Sequence, residues 1–524
     1  MLSFDIRRRS LRSGLAVLPL AAAMMIAVAP PAAAQGTPQK GGTLVVARPA
    51  DVNQWDPKFT NDNESIWAQD QVFVTLLQNS ADGQEIRPWL AETWEISPDA
   101  TIYTLKLRTD AKFCDGSPIT SADVKFSLDR LSEPDSGVSW QFPAGSKVEA
   151  IDEHTVKITL AEPNVAFASY LTLWGTAVLS KAYAEKVGIE GLATQPMGSG
   201  AFCLESWDKG QVAVLTPNPG YFVPDQPYVD RVEMTVVQDD NARVLQLRGG
   251  QIDIALQIPA NLAASLDNAA GVKIAGVTLY GTAAIVPNLR TVPALADVKV
   301  RQAIAYAVDR QAMIDAILFG KGEPANSPFY GSGILFWTDE FGISYDLDKA
   351  KALMAESTVP NGFDVTLTIP SGDEMAAQTA VILNDQLSKI GITVNVSPVE
   401  AGTWWSLWSS GEFEMVYKLG TNDVIDPAMN IPFDFWPKDL GGADSAFSGY
   451  SNPRIIEISI AAQKELDPAK RREEYRELQK IAMEEMPQLY LFHPEVIYGT
   501  RDTVHGFAVF PNQLHRLWET WKDQ

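Results

Sequence analysis

Four histidines, two cysteines and a large excess of carboxylates are the side chains of this 524-residue sequence that could do chemistry. His154, His493, His505 and His515 are scattered, none stands in H-E-x-x-H spacing, and no C-x-x-C exists. A metal site built on such motifs is not expected, because a divalent ion needs several ligands brought together at fixed spacing. No G-x-S-x-G elbow presents a serine nucleophile. Gly320-Lys321 lacks both the preceding glycine and the following hydroxyl residue of a phosphate loop. Met197-Gly-Ser-Gly200 is glycine-rich, but it leads into the strand-like Ala201–Glu205 and reads as a turn. With 65 Asp and Glu residues, pairs of carboxylates abound, so no single pair marks acid–base catalysis. The reading is a protein that is not an enzyme and carries no cofactor. Cys114 and Cys203 both lie in strand-like segments. An exported chain permits a disulfide between them, and two buried thiols are the alternative.

The compartment follows from the N-terminus. Arg7, Arg8, Arg9 and Arg12 precede an apolar run from Gly14 to about Pro30, and Ala32-Ala33-Ala34-Gln35 offers small residues for cleavage. This is the pattern of a secretory signal peptide over residues 1–34, the run being short for a membrane span. Arg8-Arg9 leaves the Sec and twin-arginine routes both open. Loss of the segment takes the net charge from −23 to −26. Such acidity argues against nucleic acid or an anionic membrane surface as a partner. The remaining length implies more than one hydrophobic core, since single cores stop growing near roughly 250–300 residues.

The elements alternate along the chain. Tyr103, Leu105 and Leu107 mark a half-buried strand, and Asp115-Gly116 a turn. Val124, Leu128 and Leu131 share a helix face after Thr120 or Ser121. Further strands fall at Val156–Leu160, Gln211–Leu215 and Arg231–Val237. Asp297 caps a helix predicted to run through Ile304, Val308, Ile314 and Leu318 to Gly320. Val365–Ile369, the stripe Ala380, Leu383, Leu387 and Ile390, and Ile392–Val396 make a β-α-β unit with parallel strands. Asp467-Pro468 opens a last long helix, ended by Pro487. The class is α/β with two lobes, and the cleft between them is the expected ligand site.

An ordered series of motifs carries a family resemblance. It comprises Leu90-Ala-Glu-Thr-Trp94, Tyr103-Thr-Leu-Lys-Leu-Arg108, Lys112-Phe-Cys-Asp-Gly116 and Thr120-Ser-Ala-Asp-Val-Lys-Phe-Ser-Leu128. It continues with Pro196–Gly200, Gly249-Gly-Gln-Ile-Asp253, Val300–Arg310, Tyr345–Lys351 and Tyr450-Ser-Asn-Pro453. The chain resembles the peptide/nickel-binding substrate-binding proteins of ABC importers, solute-binding protein family 5. The resemblance departs at Cys114, where His, Ser or Thr is common in the family. It implies a type II periplasmic-binding-protein fold with an inserted subdomain in lobe I. The expected layout is lobe I over 35–80, the inserted subdomain over 81–195, lobe I again over 196–284, lobe II over 285–492 and a return to lobe I over 493–524. Lobes of this kind close over a ligand like a hinged trap, and a membrane permease with its ATPase reads the closed form.

The resemblance also implies site residues. In peptide-binding members an aspartate at the end of a lobe II strand pairs with the ligand α-ammonium, and Asp423 falls on that position. An ammonium taken out of water needs a buried anionic partner, so the chemistry is sensible. A turn-capping role for Asp423 is the competing reading, and Asp426 before Pro427 reads as structural. Backbone contacts are expected at Gly420 and Thr421 and in the loop Asn61–Glu64, with Asn63 the lobe I candidate. Trp404, Trp405 and Trp408 form a cluster. Trp408 and Trp405 are pocket candidates against the reading of a packed helix face. Trp140 matches an aromatic that covers the ligand, Tyr417 replaces a residue that is basic in some oligopeptide binders, and Trp436 is a further candidate. The expected ligand is a di- or oligopeptide. An opine, glutathione, an oligosaccharide or a metal chelate is the alternative, and a periplasmic hydrolase, chaperone or sensor stands further off. A monomer is expected.

Overall fold

The structure, a computed structural model, describes residues 37–523 except 81, 82, 84, 267, 268 and 444–446. The expected signal segment, 1–34, lies outside the described residues. No helix among the described residues is long and apolar enough to cross a membrane.

From Pro38 onward the chain opens with β1 (Thr43–Arg48) and α1 (Asn63–Val72). Asp62 caps α1 by accepting from the Ser65 N–H, and Phe73 ends it in extended conformation. β2 (Ala91–Ile96), β3 (Ile102–Leu107), α2 (Ser121–Asp129), β4 (Lys147–Asp152) and β5 (Thr155–Thr159) follow. Then come β6 (Phe202–Asp208), β7 (Val212–Pro217), β8 (Arg231–Val236), β9 (Ile254–Ala255), β10 (Val272–Thr278) and β11 (Gly281–Pro287). The second half holds α3 (Val298–Ala307), α4 (Arg310–Leu318), β12 (Phe363–Pro370), α5 (Glu374–Ser388) and β13 (Ile392–Val399). It ends with α6 (Ala401–Ser410), β14 (Met415–Thr421), α7 (Pro468–Glu485) and β15 (Leu489–Arg501).

A twelve-stranded sheet runs in the order β13-β12-β14-β11-β15-β9-β1-β8-β7-β6, with β10 and the short strand Gly322–Pro324 also paired to β15. Separate apolar clusters pack on its two ends. One gathers Val365, Leu367, Leu383, Leu387 and Tyr490, the other Leu44, Val46, Phe202, Leu215 and Val232. A four-stranded sheet, β2-β3-β5-β4, has its own core of Tyr103, Leu105, Val124, Leu128 and Ile158. This is the two-lobed α/β architecture with a third packed body. β15 spans the division: Leu489–Phe492 pair with β11, and Glu495–Arg501 pair with β10. Only Leu279 and Tyr280 separate β10 from β11. The lobes are therefore joined by two adjacent antiparallel strands, which can bend as a hinge.

The predicted β-α-β unit forms, with Val365 opposite Val394 in a parallel pair. The helix predicted from Asp297 to Gly320 breaks in two. Val308 is extended, and Asp309 caps the second segment by accepting from the Ala312 N–H at 3.0 Å. A local side-chain bond outcompetes helix continuation there. Cys114 and Cys203 form a disulfide, with Cα atoms 5.9 Å apart. It ties the segment after the β3 strand to β6 of the large sheet.

Candidate functional site

Asn63, Ile66, Trp67 and Asp70 recur at the spacing that aligns side chains on one face of α1. All four line a cavity, together with Phe73 just beyond the helix. Thr172, Leu173 and Trp174 form a second wall, Asn512 and Leu514 a third, and Asp423 enters from the loop after β14. The cavity takes in about 520 Å3 of atom-free space, its mouth included. Trp174 is fixed by its indole N–H, which donates to the Thr60 carbonyl at 2.8 Å.

Asp423 is held in place by its neighbours. The Asn422 N–H donates to the Tyr280 carbonyl at 2.7 Å, and the Asn422 side-chain amide donates to the Val424 carbonyl at 2.9 Å. Three residues on, Arg471 grips Asp426 with two hydrogen bonds of 2.6 and 2.8 Å, both residues being buried. Fork-to-fork pairing of this kind fixes orientation as well as charge. Asp426 is thus structural, as its place before Pro427 predicts. The Asp423 carboxylate has no hydrogen-bond or ion-pair partner among the described residues. Burial pushes its pKa up to about 6, because a charge poorly reached by water is destabilised.

A second carboxylate shares the cavity. Burial pushes Asp70 up to about 7, with Arg516 pulling the other way. Asp70 also lines an adjoining space closed by Gln78, Trp89, Arg516 and Trp518. Arg516 lies over the Phe510 ring at 4.6 Å and donates to the Asn79 carbonyl at 2.5 Å and to Glu519 at 3.3 Å. Its charge is therefore partly engaged before any ligand arrives.

The lobes touch around this space. The Val165 N–H donates to the Gln463 carbonyl at 2.8 Å, and the Tyr170 hydroxyl donates to the Ala428 carbonyl at 3.4 Å.

The residues singled out from sequence are distributed as follows. Asp423 and Asn63 face the same cavity from opposite lobes. Trp140 packs edge-on against Trp174 at 5.9 Å and so stands behind the wall. Gly420 and Thr421 end β14, opposite Thr282 and Gly281, immediately before Asn422 and Asp423. A Cβ on Gly420 would meet the Tyr330 ring at 2.7–2.8 Å, which explains the glycine. Trp408 is buried and stacks on Trp404 at 5.9 Å, against Phe433 and Phe447. Trp405 is 56% exposed beside it. Trp408 is thus taken up by packing while Trp405 is largely exposed, and neither lines the cavity. Tyr417 lies in the lobe II core opposite Ile285, and the Trp436 indole donates to Ser459 at 2.6 Å. Neither lines the cavity. Asp70, Trp67, Trp174 and Asn512 were not singled out. The signal for the first two was the helical spacing from Asn63; Asn512 has none, because its wall forms only when the C-terminal segment returns.

This fold, with a carboxylate-lined cavity between hinged lobes, defines a solute-binding protein. The model of the bacterial extracellular solute-binding proteins, family 5 Middle, matches residues 85–436, and the chain belongs to that family. It is 29% identical over 477 residues to the "Probable D,D-dipeptide-binding periplasmic protein DdpA" of Escherichia coli strain K12, covering 89% of this chain and 92% of that protein. It is 29% identical over 517 residues to the glutathione-binding protein GsiB of the same strain, covering 96% and 97%. The periplasmic binding protein DppA of Helicobacter pylori, solved in complex with the peptide STSA, superposes with a TM-score of 0.75 at 26% identity, covering 93% of this chain and 99% of that one.

Proposed function

We propose that this chain is the periplasmic solute-capturing component of an ABC importer, and that its ligand is a short peptide held by its α-ammonium group on Asp423. The observation that carries the reading is the Asp423 carboxylate, unpartnered among the described residues and raised to about 6 by burial, in a cavity that both lobes close. Asp423 is half-buried, and a partly desolvated carboxylate without a cation is disfavoured; a ligand ammonium offsets that through a charge-assisted hydrogen bond. Relatives named for D,D-dipeptides and glutathione, and a neighbour solved with a peptide, support a free amino group as the shared feature. Asn63 supplies an amide from lobe I, and the end of β14 supplies backbone groups for strand-like contact.

Capture works by population shift: the ligand bridges Asp423 and the α1 face only when the lobes are closed, so it binds that state better. The closed form is what the membrane permease and its ATPase receive. The segment 1–34 is read as the export signal, and the mature chain as a monomer. The chain itself does no chemistry on its cargo.

Native mass spectrometry of the protein purified from a periplasmic extract, followed by denaturation and identification of what is released, tests this reading. Short peptides with free amino termini are expected. A single sugar, or a solute lacking any amino group, would overturn it.

A further inference from the structure

Asp70 is the one strongly perturbed carboxylate in the cavity that the Asp423 anchor does not use. It stands two turns along α1 from Asn63, on the same face, and its carboxylate has no hydrogen-bond or ion-pair partner among the described residues. Arg516 is near enough to act on it electrostatically, but that guanidinium already donates to Asn79 and Glu519. The cavity that Asp70 lines is also walled by Trp67, Phe73, Trp174 and Leu514. Such walls suit the methylene stem of a basic side chain and the face-on approach of its cation. An acidic side chain brought there would meet two carboxylates, that of Asp70 only partly offset by Arg516, which is repulsive.

We propose that Asp70 is a second cation anchor and that the preferred ligands carry two positive groups: the α-ammonium on Asp423 and a lysine, ornithine or arginine side chain on Asp70. The inference rests on the peptide reading above and deepens it by naming the side-chain class. It requires no new atoms in the site. The helix face that offers Asn63 to the ligand backbone carries Asp70 two turns along, in the same aromatic-lined cavity.

Isothermal titration calorimetry on ligand-free protein at pH 7.5 tests it with Lys-Ala and Ala-Lys, their norleucine isosteres, and Glu-Ala. At least one lysine peptide is expected to bind about tenfold or more tighter than its norleucine isostere, and Glu-Ala weakest of all. Asp70→Asn is expected to bring the lysine-to-norleucine ratio below about twofold, whatever becomes of absolute affinity, and Asp70→Glu to keep a preference. Norleucine peptides that bind as well as lysine peptides would overturn the inference and leave the peptide reading standing. So would a preference that survives in Asp70→Asn. Failure of every peptide to bind wild type would overturn the peptide reading, and the inference with it.

Discussion

Arg471 on α7 holds both carboxylate oxygens of Asp426, at 2.6 and 2.8 Å, and by doing so sets the loop that presents Asp423. Both partners are buried, so the pair matters through what it positions as well as through its own energy. Asp426→Ala leaves the guanidinium unpaired and is expected to cost about 3–5 kcal/mol in urea unfolding. The double variant Asp426→Leu with Arg471→Met replaces the pair by apolar groups and is expected to recover most of that loss. Its peptide affinity should stay depressed, because the loop has lost its fixed geometry. Full recovery of affinity in the double variant would remove the positioning role.

Ligand-free protein should be strained by its own site. The folded pKa values of Asp423 and Asp70, about 6 and about 7, lie above the ordinary carboxylate range. The folded state therefore binds these protons more tightly than the unfolded chain does. Their contribution to stability is full below about pH 4 and is lost as pH rises through about 6 and then about 7. Glu64, also pushed up to about 7 by burial, with Arg48 opposing the shift, adds to the same trend. Asp423→Asn, measured without ligand, should be more stable than wild type at pH 7.5 by on the order of 1–2 kcal/mol. The difference should vanish near pH 4. A variant less stable than wild type at pH 7.5 would mean that the carboxylate has a partner in the free protein.

Peptide affinity should follow the same protons. The ligand ammonium requires ionised carboxylates, so binding expels protons between about pH 5 and pH 7 and tightens as pH rises through that window. Above about pH 8 the peptide amino group loses its own proton and affinity falls again. Calorimetry in two buffers of different ionisation enthalpy would detect proton release near pH 6. A flat profile from pH 5 to pH 7.5 contradicts carboxylate anchoring.

The rim contact between lobes contributes to closure. Tyr170→Phe removes the hydroxyl that donates to the Ala428 carbonyl at 3.4 Å. A single hydrogen bond of this length contributes under about 1 kcal/mol, so peptide affinity should fall about two- to fivefold. Small-angle scattering of the ligand-free variant should show a larger radius of gyration than wild type.

Much of the framework was readable in the sequence because it rests on local chemistry. Thr120 and Asp123 form a reciprocal cap at the start of α2, and Asp467-Pro468 opens α7 as that dipeptide predicts. Val365 and Val394 pair because apolar periodicity fixed both strands. The break at Val308 was missed because periodicity continues through it, while the Asp309 cap competes only locally. At the candidate site, the motif resemblance points to Asp423, which lines the cavity. Asp70 carries no motif of its own, and its place in the cavity depends on walls formed by Trp174 and Leu514, which are far from it in sequence. Trp408 has the composition of a binding surface, yet it packs against Phe433 and Phe447, the alternative that its helical spacing allows.

Calorimetric titration of wild type and Asp423→Asn with a free-amine dipeptide and its N-acetylated form tests the central claim most directly. Wild type should bind the free-amine peptide and reject the acetylated one by about a hundredfold or more, since a buried charged partner left alone costs about 3–5 kcal/mol. In Asp423→Asn that discrimination should collapse to within a few fold. Equal binding of the two peptides by wild type, or undiminished discrimination in the variant, would contradict the account.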